Sequence, residues 1–372
     1  MSSVRAIAKE LELSAATVSR VLNGHPDVGR ATRERVLAYI DATDYFPKVG
    51  RRHANVIALA YPDEPVRTDY GSFEPALLAG IMRGLGEQQF DLKLLSLRRD
   101  RVASESYTQF FMRKGVRGVI LRCSRRNRST ITQIAAERFP AVVVAEHFDE
   151  ESVNFVRAES YSSSRRAMEH LIALGHRRIA LAIHNVTDSD HADRRRAYND
   201  GLYCAKLPVD PALIFEQPDS LFAGEHVVDA IRMMASPPTA VVATNPITTL
   251  GVMRRAQELG LSIPRDLSVV GMDDSDVRTH VWPRLTCVCQ DAALLGYEAA
   301  LWLSRGLADG RKPGTIRRVL GTTFEVNGTT AAAPGHEIGA SEAPLPEAAG
   351  ASETAGAARA PRKARGGKSG VV

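Results

Sequence analysis

Ser14-Ala15-Ala16-Thr17-Val18-Ser19-Arg20-Val21-Leu22-Asn23 is the stretch on which the reading of this chain turns. Val18, Val21 and Leu22 stand at i, i+3 and i+4, so they share one apolar face of a short helix. Ser14 precedes that run and is placed to cap it, its hydroxyl accepting from a first-turn N–H. Ala15, Ala16, Thr17, Ser19 and Arg20 fall outside the stripe. Small side chains let a helix approach another surface closely, and Thr, Ser and Arg supply hydrogen bonds. Such a helix suits the major groove of DNA, where an arginine pairs bidentately with guanine.

The flanks agree. Val4, Ile7, Ala8 and Leu11 form the apolar face of a preceding helix, and Glu12-Leu13 is a turn. Two helices joined by so short a turn make a helix-turn-helix. Thr32 to Ile40 reads as a third helix that closes a small core.

Ala16-Thr17-Val18-Ser19-Arg20-Val21-Leu22-Asn23-Gly24 resembles, without a gap, the recognition helix of the LacI/GalR bacterial transcription regulators. Val28, Thr32-Arg33-Glu34-Arg35-Val36, Tyr45 and Pro47 resemble the residues downstream of that helix in the family. The resemblance implies that Ala15, Ala16 and Arg20 read bases, and that Thr17, Ser19, Asn23 and Thr32 hold phosphates and fix register. Glu12 departs from the family, which has Gly at this turn. A non-glycine residue there meets a backbone region that favours glycine.

The 372 residues allow two to three domains. The head is residues 1–47. Residues 1–55 hold nine Lys or Arg against six Asp or Glu, a mildly basic balance suited to phosphate contacts. Residues 48–55 form a linker shorter than the family's, without the leucine that wedges into the minor groove in relatives. Arg51 and Arg52 are its candidate phosphate or minor-groove contacts.

From Val56 the pattern changes to short apolar strands alternating with amphipathic helices. Val56–Tyr61, Gly118–Leu121, Ala141–Ala145, Arg178–Ile183, Ala240–Ala243, Ser268–Gly271 and Leu285–Val288 are buried-strand runs. The alternation predicts doubly wound parallel α/β structure, and its length predicts two lobes. Gly80, Gly84 and Gly86 fall inside a helix, where such spacing marks close packing. His170–Ile179, Leu259–Asp274 and Pro283–Thr286 also resemble the family. They imply a periplasmic-binding-protein-like domain over residues 56–330, with two lobes, three crossovers and a cleft. Residues 331–372, rich in Ala, Pro, Gly, Ser and Glu, read as a disordered tail.

Ligands of open α/β sheets bind beyond the carboxyl ends of the strands. Asn245, Asp273 and Gln290 each follow a strand, and Arg194 opens the helix after His184. By resemblance these four align with the family's cleft contacts, and Glu159 with an acidic one. A planar guanidinium among amides and carboxylates suits a polyol or sugar effector. Pro246, where relatives have Asp, and Ala197, where they have Gly, are departures within this set.

No cofactor is expected: the chain lacks Gly-x-Gly-x-x-Gly after its first strand, a P-loop and Gly-x-Ser-x-Gly. His184, Asp188, Asp190, His191 and Asp193 match no standard metal-ligand spacing. Cys287 and Cys289 face the same side of a strand, and the four cysteines suit a reducing compartment. No run is long enough to span a bilayer and no apolar leader opens the chain, so the expected location is the cytoplasm, without membrane contact. The expectation is a homodimeric, effector-controlled DNA-binding regulator, a repressor by resemblance and not an enzyme, on a palindromic operator. A regulator that has lost DNA or effector function, and a non-regulatory small-molecule-binding protein, are the alternatives.

Overall fold

The computed structural model describes residues 4–22, 27–43, 55–62, 72–123, 125–185, 188–310 and 313–335. Asn23, Arg51, Arg52, most of the linker and residues 336–372 of the tail lie outside them.

Three helices open the chain: α1 (Val4–Glu10), α2 (Ala15–Leu22) and α3 (Arg30–Thr43). Ile7, Ala8, Val18, Val21 and Val36 bury together, with Val4, Leu11, Leu13 and Val28 packed around them. The α1–α2 turn closes by a hydrogen bond from Leu13 N–H to the Ala8 carbonyl, 2.8 Å. Glu12 takes φ 53° to make it. That left-handed conformation costs a residue with a Cβ about 1–2 kcal/mol.

Next come β1 (Val56–Tyr61), α4 (Phe73–Gly86), β2 (Asp91–Ser96), α5 (Leu97–Asp100), α6 (Tyr107–Arg113), β3 (Gly118–Arg122), α7 (Arg128–Ala136), β4 (Ala141–Val144) and β5 (Phe155–Glu159). The chain then crosses to α8 (Tyr161–Ala173), β6 (Ile179–His184), α9 (Ser189–Cys204), β7 (Ile214–Gln217), α10 (Leu221–Arg232), β8 (Ala240–Ala243), α11 (Pro246–Glu258), β9 (Ser268–Asp273) and β10 (Thr286–Cys289). It returns through α12 (Ala292–Ala308) and β11 (Arg317–Gly321), and crosses once more to β12 (Thr323–Glu325). One sheet runs β11-β5-β4-β3-β1-β2, parallel throughout. The other runs β12-β10-β9-β8-β6-β7, with only β12 antiparallel. These are the two lobes and three crossovers expected. The third crossover is tied to the first: Thr322 Oγ1 donates to the Glu159 carbonyl, 2.7 Å, and Ser163 Oγ to that of Thr322, 2.9 Å.

The boundaries inferred from sequence shift by one to three residues in most elements. α5, β5, β7, α11, β11 and β12 are additional to them. Central strands bury both faces, as in Ile57-Ala58-Leu59-Ala60, every one fully buried. Each sheet therefore carries an apolar layer on each side.

Two glycine seams set the helix spacing. A Cβ on Gly80 would stand 1.8 Å from the Ala293 carbonyl oxygen, and one on Gly296 would stand 2.2 Å from that of Leu77. So α12, although late in sequence, lies backbone to backbone on α4 of the first lobe. In the second lobe Gly224 and Gly251 meet the Thr248 and Leu221 carbonyls, each at 2.1 Å, and join α10 to α11. Gly80→Ala is therefore expected to cost about 1–3 kcal/mol by forcing the helices apart. Gly86→Ala, with open space around it, should be neutral or gain up to about 1 kcal/mol of helix propensity. Urea denaturation of the two variants separates these outcomes; equal effects would dismiss the seam.

Candidate functional site

The second helix of the head carries the first site. Ser14 Oγ accepts from Thr17 N–H at 2.9 Å, the cap expected from sequence. Val18 is fully buried and Val21 nearly so. Ala15, Ala16 and Arg20 are exposed, with Thr17 and Ser19 half-buried beside them. The helix thus offers the outward face that the sequence assigned to bases and phosphates. Thr32 is half-buried on α3.

The second site lies where the strands of the second lobe end. Arg194, one turn into α9, is almost wholly buried. Its guanidinium donates to the Thr244 carbonyl beyond β8, 3.1 Å, and to Gln290 Oε1 beyond β10, 3.3 Å. Gln290 donates in turn to Asp274 Oδ1, 2.7 Å. Asn245 caps α11 through Ile247 N–H, 2.9 Å, and donates to Asp219 Oδ2, 2.9 Å. Pro246 fits here because the first helical position requires no N–H. Asp188 caps α9, accepting from both the backbone and the ring of His191 at 2.8 Å. Arg194, Asn245 and Gln290 thus come together as the sequence suggested.

Asp273 and Glu159 go elsewhere. Asp273 accepts from the N–H groups of Ser275, Val277 and Arg278 and pairs with the Arg278 guanidinium at 2.8 Å, which shapes the loop after β9. It is the last ladder residue of its strand, so its neighbour Asp274 is the one that joins Gln290. Glu159 accepts from Tyr161 and Ser162 N–H at the start of α8. Asp273, Cys287 and Cys289 also place donor atoms within 4.8 Å of one another. The bonds just named already occupy both carboxylate oxygens.

Asp190, Asp219 and Asp274 are the site residues that the strand-end rule left out. Asp219 follows β7, whose Ile-Phe-Glu-Gln sequence carries too few apolar residues to announce a strand. Asp190 belongs to the polar run 184–193, read as loop; the helix begins earlier, at Ser189.

Burial dominates the electrostatics. It pushes the Asp190 carboxyl up to about 7, against the pull of Arg194, and that of Asp274 up to about 6. Asp219 is raised for the same reason. Burial also acts to raise Asp188, but His191 outweighs it and holds that carboxyl low. Burial opposes the His191 imidazolium too, yet Asp188 raises its pKa. Ser189 Oγ, Asp190 Oδ1, His191 Nε2, Arg194 Nε and Thr244 Oγ1 are buried without a protein hydrogen-bond partner. The lobes meet across this cluster: Ser189 N–H donates to Glu146 Oε2 at 3.2 Å, and Arg157 pairs with Asp193 at 3.1 Å. The cavity beneath Arg194 measures about 10 Å³, room for a single water.

This is the build of a helix-turn-helix regulator with a two-lobed ligand-binding domain, and the comparisons with known proteins say the same. Residues 3–48 match the family described as bacterial regulatory proteins, lacI family. Residues 168–330 match the periplasmic binding protein-like domain. The HTH-type transcriptional regulator MalR of Streptomyces coelicolor is 29% identical over 343 residues, 88% of this chain and 96% of that one. The ribose operon repressor of Haemophilus influenzae is 27% identical over 296 residues, 80% and 89%. A LacI family transcriptional regulator from Enterococcus faecium, solved with bound ribose, superposes with a TM-score of 0.63 at 25% identity, covering 75% of this chain and 99% of that one. The chain belongs to the LacI family of bacterial transcription regulators: it is a DNA-binding regulator with an effector-binding domain. Among the described residues no helix is long and apolar enough to cross a membrane.

The raised Asp190 carboxyl has a consequence for stability. Its unfolded form releases a proton near the ordinary carboxylate pKa, and its folded form only near 7. Between those values the folded state holds more protons, so this group's contribution falls as pH rises, then levels off above about 7. Asp190→Asn should therefore gain on the order of 1–3 kcal/mol relative to the parent between pH 4 and 8. Urea melts across that range test it; a pH-independent difference would assign Asp190 an ordinary carboxylate.

Proposed function

We propose that the protein is a homodimeric repressor that binds a palindromic operator and is released or recruited by a small polyhydroxylated, sugar-like effector. In this reading residues 1–47 are the DNA head, 48–55 the linker, 56–330 the effector-binding and dimerisation domain and 331–372 a tail. Ala15, Ala16 and Arg20 read base edges. Thr17, Ser19, Asn23 and Thr32 hold phosphates, and Arg51 and Arg52 follow the backbone from the linker.

The observation that carries the effector half is the set of unpartnered buried polar atoms around Arg194. Buried polar groups are otherwise almost always satisfied, and convergent hydroxyls would satisfy these. Arg194, Asn245 and Gln290 orient such a ligand, with Asp190 and Asp274 beside them. Asp273 and Glu159 hold the loops that position it. The Ser189–Glu146 and Arg157–Asp193 contacts close the edge between the lobes, so entry of a sugar requires the lobes to part, as in a hinge closure. The ligand then shifts DNA affinity only through its different affinity for the open and closed states. Ribose in the Enterococcus faecium structure and in the name of the Haemophilus influenzae repressor supports the sugar-like class.

Selection of bound sequences from a random DNA pool, with full-length protein at near-physiological salt, tests the regulator half. An enriched palindrome supports it; salt-sensitive binding without enrichment refutes it. On the selected site Arg20→Ala should lose about 1–3 kcal/mol and leave scrambled DNA untouched. Equal losses on both would make Arg20 a phosphate contact. Arg194→Ala should abolish the effector response while operator binding persists. An unchanged effector titration would take Arg194 out of the site.

A further inference from the structure

The charges that line the cleft do not balance. On the first lobe Glu74 pairs with Arg122 at 2.8 Å and Glu146 with Arg128 at 3.4 Å. Asp193 is held from the other lobe by Arg157 at 3.1 Å and from its own helix by Arg196 at 2.9 Å. Asp188 is matched by His191. Among the described residues, that leaves three buried carboxylates, Asp190, Asp219 and Asp274, around the Arg194 guanidinium, with the His184 imidazole beside Asp219.

Arg194 cannot neutralise all three. Its hydrogen bonds go to neutral acceptors, the Thr244 carbonyl and the Gln290 amide. Among the described residues, the hydrogen bonds that Asp219 and Asp274 accept come from neutral donors, Asn245 with Thr248, and Gln290. His184 lies 3.7 Å from Asp219, at ion-pair distance, and offers that one carboxylate a countercharge when protonated. Asp190 Oδ1 has no partner, and Asp190 is 4% exposed, one helical turn from Arg194 on the same face of α9.

We propose that the effector of this cleft carries a protonated amine among its hydroxyls, as an amino sugar does, and that Asp190 receives the ammonium. The proposal rests on reading the cleft as the effector site and adds the ligand's charge class. A neutral polyol satisfies the hydroxyl, amide and guanidinium groups but supplies no countercharge. An anionic ligand adds to the excess. An ammonium supplies both the missing charge and the donors that Asp190 lacks, and charge-assisted hydrogen bonds are the strong ones.

Calorimetric titration of the full-length protein at about pH 7 tests this with matched probes. These are D-glucosamine against D-glucose and N-acetyl-D-glucosamine, and D-galactosamine against D-galactose. At least one amine should bind about tenfold or more tighter than its neutral parent, and N-acetylation should remove the gain. Asp190→Asn should bring the amine and its parent to near parity. Neutral sugars binding as tightly as their amines, or no binding by either amine, overturns the proposal on the wild-type protein alone. A neutral sugar that binds and alters operator affinity would leave the effector reading standing while the amine assignment fell. An amine that binds Arg194→Ala undiminished would place its site outside the cleft and overturn both.

Discussion

A single buried guanidinium organises the second lobe. Removing Arg194 from water is costly unless its N–H groups and charge are matched. The match comes from four separate parts of the chain: the carbonyl after β8, the glutamine after β10, the Asp274 carboxylate after β9 and the carboxylates at the start of α9. Asp188 caps that helix and so fixes the height at which Arg194 leaves it. The match is electrostatically excessive on the acidic side and geometrically incomplete, since Nε has no partner. A purely structural arginine would be expected to have neither property.

The lobes owe their separate identities to packing rather than to chain order. The fold sends α12 back to the first lobe, and the Gly80–Ala293 and Gly296–Leu77 contacts hold it there. The first and third crossovers then sit side by side, Thr322 bonded to Glu159 and to Ser163. A chain so constrained can bend at the crossovers while each sheet stays rigid, because the glycine seams tolerate almost no sliding. Contacts such as Ser189–Glu146 and Arg157–Asp193 bridge the opening edge and are the ones a hinge motion makes or breaks.

Much of this was legible in the sequence because it depends on local period. Val18 and Val21 announced the buried face of α2, and Ile57 to Ala60 a strand buried on both sides. Glu12 announced its own strained turn. The elements that could not be read are those stabilised from outside. β11, Arg-Arg-Val-Leu-Gly, is largely exposed and is a strand because β5 pairs with it. β7 is a short edge strand beside β6. At the site, Asn245 and Gln290 followed from the strand-end rule, and Arg194 from its place on the helix after His184 together with the family resemblance. The choice between Asp273 and Asp274 did not, because only the register with β10 ends the ladder at Asp273, opposite Cys289, and so leaves Asp274 beyond the strand to meet Gln290. Asn23, Arg51 and Arg52 fall outside the described residues, and their assignment still rests on the sequence.

That register also places the site next to the machinery it would have to move. Gln290, which accepts from Arg194, is followed by Asp291, whose side chain caps α12 by accepting from Leu294 N–H at 2.7 Å. The hydrogen-bond chain Arg194–Gln290 therefore ends one residue from the point where the backbone leaves the second lobe for the first. A ligand that competes for the Gln290 amide or for Arg194 acts on a crossover strand, not on a remote surface. Coupling needs an element with two arrangements whose balance the ligand biases. Lobe opening is such an element, since α12 is locked to the first lobe by glycine contact and to the site by a single amide.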